Sequence, residues 1–163
     1  HIFIHDLGDV NTKAFIENQT TFCIIQVNKL PLTIDPSKTG FEKVLRVYQI
    51  EAMRYVWANA DEGATSRNVY NNVNEMLDGG KKISRASIIN FLNTMCDEGV
   101  INYTEETCKG GTRRKYTPAL DEEAYKRHIA RSVFDSLMKD FPDQTIEALR
   151  ESLGPKANDI PGL

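Results

Sequence analysis

The chain has 163 residues, 40% of them hydrophobic and 26% charged, and a net charge of −3. That balance reads as a soluble globular chain with one good core, or one core and a small appendage. No apolar run approaches the ~18 to 20 residues that span a bilayer, and no charged-then-apolar signal segment opens the chain.

Residues 1–45 differ in texture from the rest of the chain. "HIFIHDL" and "TTFCIIQV" are rich in Ile, Phe, Val and Thr and predict strands, and "NTKAFIEN" between them predicts a short helix capped by Asn11 or Thr12. "NKLPLTIDPSKTGF" carries two prolines and a glycine and reads as a linker. A β-α-β-like appendage over residues 1–45 is the expectation.

From Tyr48 the periodicity turns helical. Ile50, Met53 and Trp57 recur at intervals of three and four, with Val56 beside them, until "NADEG" ends the pattern. A second helix follows the cap candidates Thr65 and Ser66, with Val69, Tyr70, Val73, Met76 and Leu77 on one side and "DGGKK" as its stop. The third opens at Ser84, buries Ile88, Phe91, Leu92 and Met95, and ends with Gly99 at its C′ position. "VINYTEE" and "RRKYTP" then read as two strands, with "TCKGG" turning the chain between them.

Beyond Pro118 the character changes again. Asp121, Glu122 and Glu123 crowd a helix start, where negative charge is favoured. Tyr125, Ile129, Val133, Leu137 and Phe141 come next at four-residue spacing, and after "PDQ" a last helix presents Ile146, Leu149 and Leu153. Two amphipathic helices outside a complete small domain require cover, and these eight residues are the expected interface of a homodimer.

Helix, helix, helix, hairpin is the order of a winged helix-turn-helix, whose third helix can lie in a DNA major groove. One face of that helix is committed to the core, which leaves Arg85, Ala86, Ser87, Ile89, Asn90 and Asn93 outward. Arg binds guanine bidentately, Asn binds adenine, and Ser takes a base edge or a phosphate. Lys81 and Lys82 sit just before the helix, where their ammonium groups would meet phosphate, and Ser84 at its start is a further expected DNA contact. Lys109, Arg113, Arg114 and Lys115 surround a Gly110-Gly111 tip and suit the DNA backbone or minor groove. Strand alternation sends Arg113 and Lys115 to one face and Arg114 and Tyr116 to the other.

Charge distribution agrees. Residues 79–120 hold seven Lys/Arg against four Asp/Glu, a local +3, whereas residues 121–163 hold six against nine, a local −3. Taken singly, a basic hairpin tip is a solvated turn and a polar helix face is plain surface. Their order along one chain is what points to DNA.

The chain resembles the penicillinase-repressor family, which includes the copper-responsive CopY repressors. The resemblance runs from Leu45 to Leu153 through "EAMRYVW", "GATSRNVY" and "LDEEAYKR" in that order. PadR- and MarR-like winged helices are the nearest competitors. It implies a homodimer held by C-terminal helices that represses transcription from dyad-symmetric operator DNA, with Arg85, Ser87 and Asn90 facing the groove and Arg113 and Arg114 in the wing. The CopY cysteine cluster at the C-terminus is missing, so copper sensing is not implied, and residues 1–45 lie outside the usual pattern.

The expected fold is therefore mainly α with a small β wing. It divides into residues 1–45 as appendage and linker, 46–120 as the winged helix, and 121–163 as the dimerisation region. Cys23, Cys96 and Cys108 are odd in number and widely spaced, with no CxxC or Cys/His pairing. They predict a reducing cytoplasm and neither a disulfide framework nor a metal or cofactor site. No His/Asp/Ser arrangement, phosphate loop or paired-carboxylate site points to an enzyme. The alternative reading is a winged helix that contacts proteins of the transcription machinery, favoured if the basic residues are dispersed or paired with Glu105 and Glu106.

Overall fold

Three helices form because each carries an apolar stripe at helical spacing and a local signal at its start. The structure, a computed structural model, describes residues 33–77 and 79–159. Both strands expected in the appendage, and Cys23, lie outside the described residues. Helix α1 spans Val47–Ala58, and its first turn is held by the Gln49 side chain, whose Oε1 accepts the Arg46 N–H at 2.8 Å. Helix α2 spans Ser66–Met76 with Thr65 as N-cap, accepting the Asn68 N–H at 3.2 Å. Helix α3 spans Arg85–Asp97 with Ser84 as N-cap, accepting the Ser87 N–H at 3.1 Å.

Helix α3 ends as its sequence requires. Gly99 has φ +72°, its N–H donates to the Cys96 carbonyl, and the Val100 N–H donates to the Met95 carbonyl. That pair of bonds satisfies carbonyls which a side chain with a Cβ would leave strained.

Strands β1 (Ala64–Thr65), β2 (Ile101–Cys108) and β3 (Gly111–Pro118) form one antiparallel sheet in the order β1-β3-β2. The hairpin is longer and its turn tighter than the "TCKGG" expectation. Pairing runs from Ile101↔Pro118 to Cys108↔Gly111, so Lys109 and Gly110 alone make the connection. Strand β1, two residues long, pairs Ala64 with Tyr116 and Thr65 with Lys115. Gly63 makes that approach possible: at φ +74°, an added Cβ would stand 3.0 Å from Lys115 Cγ and 3.2 Å from the Tyr116 carbonyl oxygen.

The core lies among the three helices and the base of the hairpin. Ile50, Met53, Val56, Val69, Val73, Ile88, Phe91, Leu92, Met95, Val100, Ile101 and Tyr116 are buried there, and each large side chain contributes about 1.5–3 kcal/mol on burial. Met76, expected on the buried side of α2, is 61% exposed, and its neighbour Leu77 packs against the core in its place.

The core also takes residues from both flanks. Leu45 is buried and Phe41 and Val44 pack against it, so the last part of the expected appendage and linker completes the domain. Phe41 lies 5.6 Å from Trp57 and 5.7 Å from Tyr125, ring centre to ring centre. Trp57 Nε1–H donates to the Leu120 carbonyl at 3.0 Å. This aromatic group attaches the first turn of helix α4, Glu122–Asp140, to the winged helix. Helix α5, Pro142–Leu153, comes next with Pro142 in its first turn, where the missing N–H costs nothing. The "PDQ" expected ahead of the last helix is thus part of it.

Candidate nucleic-acid interface

Two adjoining elements carry the expected contact residues, and each is positioned by the core behind it. Ile88, Phe91, Leu92 and Met95 hold one face of α3 inward, leaving Arg85, Ala86 and Asn90 exposed and Ser87 and Ile89 half-buried. Ser84 and Ser87 hydroxyls lie 2.9 Å apart, so part of their capacity is spent on the helix start.

The segment ahead of α3 is held by a residue that the periodicity gave no reason to single out. Asn74 Oδ1 accepts the Ile83 N–H at 2.8 Å, while its Nδ2 donates to the carbonyls of Ile83 (3.2 Å) and Tyr70 (2.9 Å). One amide thereby clamps the end of the turn that carries Lys81 and Lys82, both exposed. The available signal was a polar residue on the half-buried side of α2, one turn before the helix stop.

The wing carries Lys109, Arg113, Arg114 and Lys115, with Lys115 half-buried and the others exposed. The expected alternation holds. On one face Glu106 receives Arg113 at 3.1 Å and Lys115 at 3.4 Å. On the other, Arg114 Nε stands 3.6 Å from Glu105 Oε1, and its guanidinium lies 4.0 Å from the Tyr103 ring centre. The Arg113 hydrogen bond holds the Glu106 carboxyl below its ordinary range, with Lys115 acting in the same direction. Lys81, Lys82, Arg85 and Lys109 form no ion pair among the described residues. Four wing cations against two carboxylates leave the hairpin at +2.

The two elements touch. Arg114 Nη1 donates to Asn93 Oδ1 at 3.0 Å, joining β3 to α3. Behind them, burial pushes the Cys96 thiol up to about 11, against the opposing influence of Arg114.

The expected dimer stripe is brought only partly to the surface. Tyr125 is a correction to that expectation, being 1% exposed inside the chain's own core. Burial drives its phenol well above the ordinary range, with Glu98 adding to the effect. Ile129 packs on the same core, Val133 is half-buried, and Leu137 and Phe141 are exposed, as is Phe134. Ile146, Leu149 and Leu153 on α5 are half-buried. Among the described residues, no helix is long and apolar enough to cross a membrane.

Three helices, a short pairing strand and a basic hairpin against the third helix define a winged-helix protein. The model of the penicillinase repressor family matches residues 48–163, and the chain belongs to that family of DNA-binding transcriptional repressors. No curated protein matches it significantly. Among solved structures it is similar to the zinc-responsive MarR family member ZitR of Lactococcus lactis, at 15% identity, covering 93% of this chain and 99% of that one with a TM-score of 0.36. The PcaV transcriptional regulator of Streptomyces coelicolor is similar at 16% identity, over 97% and 98%, again with a TM-score of 0.36. ZitR in complex with DNA shares 12% identity over 93% and 99%, with a TM-score of 0.33.

Proposed function

We propose that the chain acts as a homodimeric repressor that binds dyad-symmetric operator DNA. In this reading Arg85, Ser87 and Asn90 read base edges from α3, while Lys81, Lys82, Ser84, Lys109, Arg113 and Lys115 engage the backbone. The observation that carries the reading is the division of α3 into a face fixed by four buried apolar residues and an exposed face bearing Arg85 and Asn90, beside a hairpin of net positive charge. The exposed Phe134, Leu137 and Phe141, with half-buried Val133, Ile146, Leu149 and Leu153, supply the apolar surface for a second copy. Tyr125 drops out of the assigned contacts because it is buried in the chain's own core, and Arg114 because, unlike Arg113 and Lys115, it is hydrogen-bonded to Asn93 of α3 and stacked on Tyr103 as well as ion-paired.

A second reading has a specific observation in its favour. Arg113, Arg114 and Lys115 are paired with Glu105 and Glu106, which suits a winged helix that meets a protein. Solvent-exposed pairs of this kind are weak in water, so phosphates can displace the carboxylates, and Lys81, Lys82, Arg85 and Lys109, unpaired among the described residues, favour DNA. Selection of bound duplexes from a random pool separates the two. An enriched sequence repeated in inverted order supports the operator reading, and a pool that stays random supports the protein partner.

A further inference from the structure

We infer that Arg114 is a positioning residue: its guanidinium latches the wing to the recognition helix before DNA arrives, and it is not one of the phosphate contacts. The consequence for binding rests on the operator reading. Three groups converge on this side chain. The Tyr103 ring lies under it at 4.0 Å, Asn93 Oδ1 accepts its Nη1–H at 3.0 Å, and Glu105 Oε1 stands 3.6 Å from Nε. Two of them come from β2, the neighbouring strand, and one from the third turn of α3. Among the described residues, the Asn93 bond is the one side-chain hydrogen bond that joins the hairpin to α3.

Arg113, one residue away, shows what an ordinary wing cation looks like. It pairs with Glu106 of its own hairpin and keeps 55% of its side chain exposed, against 40% for Arg114. Turning Arg114 out to a phosphate gives up both the stack on Tyr103 and the bond to Asn93. A planar guanidinium can stack with its face and donate from its edge at once, which an ammonium cannot. The latch therefore requires Arg and not merely a positive charge. Holding the hairpin at a fixed angle to α3 removes an ordering cost that would otherwise be met on binding.

Two variants separate positioning from charge. Arg114→Lys keeps the cation and loses the planar fork; Tyr103→Leu keeps every cation and loses the platform, at a position already 42% exposed. Amide hydrogen exchange over Ile101–Pro118 in the DNA-free protein should quicken several-fold in both. Binding to the selected duplex should weaken about tenfold while the salt dependence stays that of the wild type. The inference is overturned if Arg114→Lys exchanges and binds like the wild type while Arg114→Gln lowers the salt slope by roughly 1 for each phosphate no longer neutralised. Faster exchange with unchanged affinity overturns it as well. Because exchange is read without DNA, a wild type that binds no duplex sinks the operator reading alone. Wild-type exchange in both variants then still rejects the latch.

Discussion

The winged helix and the C-terminal helices carry apolar stripes of similar quality and meet different fates. In α3, Ile88, Phe91, Leu92 and Met95 are all buried by the chain itself. Along α4 the stripe begins fully buried at Tyr125, is half-covered at Ile129 and Val133, and reaches 43% exposure at Leu137 and, just past the helix, 57% at Phe141. Periodicity announces a face that must be covered, but it does not say by what. The winged helix closes on itself because three helices and a hairpin surround one another. Helix α4 leaves that enclosure after its second turn.

The sharpest way to break this contrast is to cut one residue from each stripe. Leu92→Ala should lower stability by about 2–5 kcal/mol in urea denaturation, since the side chain is fully buried and its removal leaves a cavity in the core. Leu137→Asp should leave the unfolding of dilute protein nearly unchanged and shift sedimentation at micromolar concentration from dimer to monomer. Comparable losses of stability at both sites would place α4 in the same core and remove the reason for a second copy.

Next in size is the clamp ahead of α3. Asn74→Ala leaves the half-buried Ile83 N–H without its acceptor and should cost about 1–3 kcal/mol, with faster exchange of the Ile83 amide. Wild-type exchange there would mean that the Lys81–Lys82 turn is held by other contacts.

Base readout should cost a similar or smaller amount. Arg85→Ala or Asn90→Ala is expected to lose roughly 1–3 kcal/mol at the preferred duplex and to relax preference at one position per half-site. A uniform loss over all duplexes would reassign these residues to the backbone.

The smallest effect concerns Cys96. Burial raises its thiol to about 11, so the protonated form dominates throughout the neutral range and the nucleophilic thiolate is scarce below that value. Its alkylation by iodoacetamide, read by mass spectrometry from pH 7 to 9, should run well below the rate of an unhindered peptide thiol. Equal rates would contradict the burial.

Features set by neighbouring residues were legible in the sequence. Ser84 caps α3, Gly99 ends it, and Arg113 and Arg114 fall on opposite faces of β3, because each depends on residues a few positions away. What escaped depends on distant partners. Strand β1 is two residues long and exists only because Tyr116 and Lys115 lie alongside it. Tyr125 continues a four-residue stripe, yet Phe41 and Trp57 claim it for the core. Arg114 looked like its neighbours until Asn93, 21 residues earlier, supplied an acceptor.

The central claim, that α3 and the wing together form a DNA-reading surface, is tested most directly by titrating wild-type binding against salt on a selected duplex and on its scrambled version. We expect tighter binding to the selected sequence at every salt concentration, and affinity that falls linearly on a log–log plot with a slope of about −0.9 for each phosphate neutralised. Equal, weak binding to both duplexes at low salt would contradict the account and assign this face to a protein partner.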